Sequence, residues 1–318
     1  TEGLVGSEMC IRDRSKTFDY IGLFTLSAIW GSSFLFIKFA IETIHPSLLT
    51  FLRLLIASFF LYIYLKIVKK QSLSFSGEKK DIILIALLGN VIPFNLISWS
   101  ETRIDSVNVA ILIGTMPMFT FIISHYIYKV EKINRAIIVG LLIGFIGMVV
   151  LINENNSNLP SSFNLSSLAN LLVIFAAIFY ALGANCVKSV THMNSLQLAT
   201  SSSILATIIA LPVCLVLMRV NYINYEYSIS NISLKSIYSC LMLGIVCTGL
   251  AVLIFFNLIK RQSAGFASQS NFFIPCFGVL WSFLFLDERL SIFLVISLVL
   301  IVTGVAFVHE GRKRNIKH

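Results

Sequence analysis

The chain has 318 residues, of which 57% are apolar and 12% charged, and its formal net charge is +9. Soluble domains carry about 25% charged residues, so too little polar surface is available here for a soluble globular fold, and the chain is too apolar for disorder. Continuous apolar runs of about twenty residues also exclude a membrane barrel, whose strands alternate over about ten, and leave an all-α polytopic membrane protein.

Residues 1–17 read as a non-native or disordered leader, polar over Thr1–Arg14 and without the apolar core of a signal peptide. Ten apolar spans follow, at about 18–41, 46–68, 81–99, 106–128, 134–152, 168–190, 195–218, 236–258, 264–286 and 290–309. Most connections are short, which makes consecutive helices antiparallel neighbours. The Asn/Ser-rich stretch 153–167 carries no Lys or Arg and reads as an extracytoplasmic linker, and 311–318 as a basic cytoplasmic tail. With the N-terminus inside, eighteen of the 24 basic residues fall on the cytoplasmic side and four outside. The positive-inside rule therefore places both termini in the cytoplasm.

Two halves share landmarks. Span four holds Pro117, followed by Glu131 and Gly147; span nine holds Pro275, followed by Glu288 and Gly304. The unit, 18–152 and again 168–310, has five helices. An odd number inserts the second copy upside down, an architecture common among secondary transporters.

The segment Ala28-Ile29-Trp30-Gly31-Ser32-Ser33-Phe34, then Pro46, Arg53 and Ala57, then Pro117, Glu131, Gly140, Gly144 and Gly147, and finally Pro275, Glu288 and Gly304, resembles the EamA-like ten-helix permeases of the drug/metabolite transporter superfamily. The resemblance covers about residues 18–310. It implies a central cavity between two inverted repeats, alternating access, and small metabolites such as amino acids as solutes, with export the common direction. The expected membrane is the bacterial inner membrane.

The six cysteines have no CxxC spacing and read as small buried hydrophobes; no cofactor or metal is expected. No GxSxG or HExxH motif points to an intramembrane enzyme. All fifteen carboxylates fall in loops or at span ends, so a proton relay through a buried carboxylate is not expected. Lys38 and Arg53 are the cations within spans. Lys38 can pair with Glu42 or snorkel, and either cation can meet a solute carboxylate. Candidate cavity faces follow from helical periodicity. They carry Trp30, Ser33 and Lys38 on span one, and Asn90, Phe94 and Ser98 on span three; Arg53 joins them as the cation within span two. Asn108 and Thr115 follow on span four, Tyr180 on six, Thr248 and Phe255 on eight, Ser268 and Asn271 on nine. Helix–helix hydrogen bonding is the alternative role for each. The expected partners are a small-molecule solute and the bilayer, without nucleic acid, acting as monomer or homodimer. Nucleobases, amines or drugs are the alternative solutes.

Overall fold

A computed structural model describes residues 2–73, 75, 79–104, 106–155, 168–219, 232–286 and 292–317. Glu288, Asp105 and most of the linker 153–167 lie outside them. Ten helical segments carry the fold: α1 (Glu2–Ile41), α2 (Pro46–Val68), α3 (Lys79–Ser100), α4 (Ser106–Ile113 and Met116–Tyr126), α5 (Arg135–Asn155), α6 (Leu168–Ser189), α7 (Ser195–Arg219), α8 (Leu234–Arg261), α9 (Ala264–Ser268 and Ser270–Leu286) and α10 (Ile292–Lys317). Among the described residues, eight segments are long and apolar enough to cross a membrane; the apolar stretch Arg135–Val150 of α5 is shorter.

Local chemistry sets the helix starts. The His45 side chain accepts from the Ser47 amide, with Pro46 in the first turn, where its missing N–H costs nothing. The Ser233 hydroxyl caps α8 through the Ser236 amide, and the Ser263 hydroxyl caps α9 through Phe266. Asn134 does the same for α5 through Ile137.

The packing repeats by halves. α1 packs on α9 as α6 packs on α4; α1 meets α8 as α6 meets α3; α2 meets α8 as α7 meets α3. The counterpart helices α2 and α7 pack on each other, and so do α5 and α10. These are the contacts of two inverted five-helix repeats around a pseudo-two-fold axis. A hydrogen bond also joins each of two corresponding helix pairs: Ser27 donates to the Ser270 carbonyl between α1 and α9, and Asn185 to the Thr120 carbonyl between α6 and α4.

α5 and α10 touch backbone to backbone. A Cβ built on Gly140 would lie 2.6 Å from the Gly304 carbonyl oxygen, and one built on Gly304 lies 2.6 Å from the Gly140 oxygen. With no hydrophobic drive between helices in lipid, such close approach supplies the dispersion contact that holds them.

Regular helix fails in corresponding places. α3 has a π-helical turn at Leu87–Val91 and its counterpart α8 one at Leu243–Leu250. α4 breaks at Gly114–Thr115, just before Pro117, and its counterpart α9 breaks at Gln269, ahead of Pro275. The 28 residues between Gly89 and Pro117, against 31 between Gly244 and Pro275, are absorbed by the longer α8, which continues to Arg261.

Candidate functional site

A cavity lies where these irregular turns converge. Its wall draws on α1, α2, α3, α4, α6, α8 and α9, hence on both repeats. Discontinuous helices at a repeat interface are where transporters of this architecture hold their solutes.

Arg53 is the single charged residue among the described residues of the wall, and its side chain is buried. Its Nε donates to Thr248 Oγ1 at 3.0 Å, and its guanidinium carbon stands 3.9 Å from the centroid of the Phe94 ring. No carboxylate among the described residues forms an ion pair with it. A cation at this depth is costly unless it is held and faces something polar. Here a threonine and an aromatic face hold it, leaving the charge directed to the cavity.

The rest of the wall is neutral and mostly apolar, with six aromatic side chains among it. The Trp30 indole N–H donates to the Cys247 carbonyl at 3.2 Å, in the π-helical turn of α8, and its ring lies 5.1 Å from that of Phe255. Phe94 and Tyr180 meet edge to face at 6.2 Å. Asn90, in the π-helical turn of α3, donates from Nδ2 to the Ile85 carbonyl at 3.2 Å; its Oδ1 has no partner. Asn271 donates to the Ser268 carbonyl at 2.8 Å. Gly89 and Gly183 let α3 and α6 touch: a Cβ on Gly183 would sit 2.9 Å from the Gly89 Cα.

The structure thus gathers Trp30, Ser33, Arg53, Asn90, Phe94, Tyr180, Phe255 and Asn271 in one cavity wall. The other candidates lie outside it. Thr248 stands behind Arg53 as its hydrogen-bond acceptor. Ser98 is fully buried, and Ser268 donates to the Gly265 carbonyl within its own helix. Thr115 donates to the Leu112 carbonyl at the break in α4, and Asn108 sits half-buried two residues into that helix. Lys38 is exposed near the end of α1, while Glu42 pairs with Lys235 of α8 at 2.8 Å. Periodicity passed over Met116, Cys247 and Phe256, which also face the cavity. Nothing marks them as different from core residues in sequence; the break in α4 and the π-helical turn in α8 turn the first two inward.

The two ends of the bundle differ. At the Glu131 end, buried Asp19 pairs with Arg261 at 2.9 Å and accepts from Gln262 at 2.7 Å. Arg312 Nε lies 3.4 Å from Glu131 Oε1, an ion pair without hydrogen-bond geometry. Lys188 donates to the Lys260 and Gln262 carbonyls, and Lys260 to those of Val190 and Met193. The described contacts at the Glu42 end include the exposed Glu42–Lys235 pair, a hydroxyl cluster of Thr43, Ser233 and Ser236, and the Ser106–Glu101 hydrogen bond.

The model of the EamA-like transporter family matches residues 17–153 and again 167–309, one copy per repeat. The chain belongs to the EamA-like transporter family. Relatives of this EamA-like chain include the uncharacterized transporter YoaV of Bacillus subtilis, 24% identical over 90% of the chain and 94% of that protein. Protein PagO of Salmonella typhimurium is 26% identical over 80% of each. A crystal structure 15% identical in sequence superposes over 94% of the chain and 98% of its own length, with a TM-score of 0.72, and shares the fold.

Proposed function

We propose that this EamA-like chain is a carrier, not an enzyme, that moves small amphipathic metabolites, amino acids or related carboxylates, out across the bacterial inner membrane by alternating access. The observation that carries this reading is an apolar cavity with several aromatic side chains and one guanidinium, set between the two repeats. Arg53 would take a solute carboxylate, and Trp30, Phe94, Tyr180 and Phe255 its apolar part. Such a lining, apolar with a few convergent polar groups, is what small-molecule sites have. The excess of Lys and Arg on one side supports a topology with both termini in the cytoplasm.

Counterflow in proteoliposomes with a panel of labelled amino acids and carboxylates tests the reading. Saturable exchange that is lost in Arg53→Gln is expected. Exchange restricted to nucleobases, amines or drugs, and indifferent to Arg53, would replace the solute class. A folded protein that exchanges none of these would remove the transporter reading.

A further inference from the structure

One face of α3 runs from the cavity to the Glu42 end of the bundle. Asn90, Phe94 and Glu101 share it at 100° per residue; the first two line the cavity, and Glu101 follows the last turn of the helix. Contrary to the expectation from sequence, this carboxylate is buried, with 7% of its surface exposed. Its Oε2 accepts from the Ser106 hydroxyl at 3.3 Å, and its Oε1 has no hydrogen-bond partner.

The charges around it are few. Lys38 of α1 and Arg53 of α2 act on it through space, without ion-pair contact. α4 contributes the Ser106 hydroxyl. α6, which meets α3 where Ser100 donates to the Ala169 carbonyl, carries Lys188 as its one charged residue, at its far end. Arg103 is stacked 3.7 Å above the Trp99 ring on the exposed side. Burial pushes the Glu101 carboxyl well above the ordinary carboxylate range, against the opposing pull of the Ser106 hydroxyl, Lys38 and Arg53. A buried carboxylate with one unsatisfied oxygen and no contacting cation is costly in its ionised form, and a proton removes that cost.

We infer that Glu101 is a proton-binding site coupled to anion binding at Arg53, so that a carboxylate solute and a proton load together and export runs down the solute's own gradient. An anion on Arg53 neutralises one of the two cations that favour ionised Glu101, and protonation becomes easier. By reciprocity, protonated Glu101 leaves Arg53 better able to bind the anion. The proton comes from bulk water onto the carboxylate and returns to it when the solute leaves; no covalent bond changes. The coupling rests on the transporter reading above, and the proton site itself does not.

Titration of the isolated protein by infrared spectroscopy, following the carbonyl band of a protonated carboxyl that Glu101→Gln deletes, tests the site without any solute. The band is expected to persist above the usual carboxylate range. Arg53→Gln imitates a neutralised guanidinium and is expected to raise the midpoint by about one pH unit, the effect of one charge at roughly 10 Å through an effective dielectric near 20. Lys38→Gln is expected to move it the same way, and Arg53→Lys to leave it near wild type. A carboxyl already ionised in the usual range, or a midpoint unmoved by both Gln variants, would overturn the proposal; if Arg53→Gln does not fold, Lys38→Gln decides. On the same samples, counterflow separates the two readings. Solute flux stimulated by a pH gradient in wild type but not in Glu101→Gln supports the coupling; a Glu101→Gln protein still driven by the gradient overturns it. The expected titration with no exchange of any solute would leave the proton site standing and remove the transporter reading.

Discussion

Arg53 owes its position to Thr248 and Phe94 more than to any charge. The hydroxyl fixes the direction of Nε and the ring covers one guanidinium face. A hydrogen bond to a charged group contributes about 1.5–3 kcal/mol. Thr248→Val is therefore expected to weaken solute binding by roughly tenfold or more, with Arg53 and the fold retained; equilibrium binding across the series reads it. Glu101 gives a second prediction at this scale. Its folded-state pKa is raised above the ordinary value of 4.5. Above that value the folded protein binds more protons than the unfolded chain, so stability falls as pH rises through the Glu101 titration. Melting temperatures measured from about pH 5 to about pH 8 should fall for wild type and flatten in Glu101→Gln. An equal slope in both proteins would mean that Glu101 is not the group that titrates. Periodicity placed Trp30, Asn90 and Phe94 on inward faces, because one stretch of helix suffices to define a face, and Arg53 stood out as a cation within a span. The same logic put Glu101 at a span end and stopped there, since burial of a helix terminus is set by neighbours distant in sequence.

At the scale of elements, glycine separates packing from function. Gly304 leaves no room for a side chain against Gly140, and Leu at either position overpacks the α5–α10 contact. Overpacking costs about 1–3 kcal/mol, so Gly304→Leu is expected to lower the melting temperature and to lose flux with it. A Cβ at Gly89, by contrast, meets one side-chain atom at 3.9 Å and points into open space beside the cavity. Although its backbone touches α6 at Gly183, the side-chain direction at Gly89 is open, so Gly89→Leu should change stability by less than Gly304→Leu does and fill the cavity, cutting solute flux. A large loss of stability in Gly89→Leu would show that the π-helical turn needs glycine for its backbone. The helices themselves were legible as apolar runs of membrane length, and Pro117 and Pro275 as points of irregularity. The π-helical turns in α3 and α8 were not, because no residue type demands one.

For the whole molecule, the asymmetry between the two ends bears on topology and on gating. Among the described residues, the Glu131 end ties α1 to α8 through Asp19 and Arg261, α6 to α8 through Lys188 and Lys260, and α10 to the α4–α5 turn through Arg312 and Glu131, while the Glu42 end holds the exposed Glu42–Lys235 pair, hydroxyls and the Ser106–Glu101 bond. With the proposed topology, Glu42→Cys in a Cys10→Ser background should react with an impermeant maleimide in intact cells, and Lys132→Cys only after permeabilisation. Labelling of both from one side would contradict the proposed topology of the first repeat.

The sequence by itself determined the class, the number of spans, the duplication and the inward faces of single helices. Each is a local property: hydropathy over twenty residues, a repeated spacing, a period of 3.6. Only the tertiary structure decided that Thr248 serves Arg53 from another repeat, that Cys247 and Met116 turn toward the cavity, and that Glu101 is buried at its end. Those depend on which helix lies beside which, and the pseudo-two-fold packing of one repeat against the other brings together residues nearly two hundred positions apart, as in the Arg53–Thr248 bond.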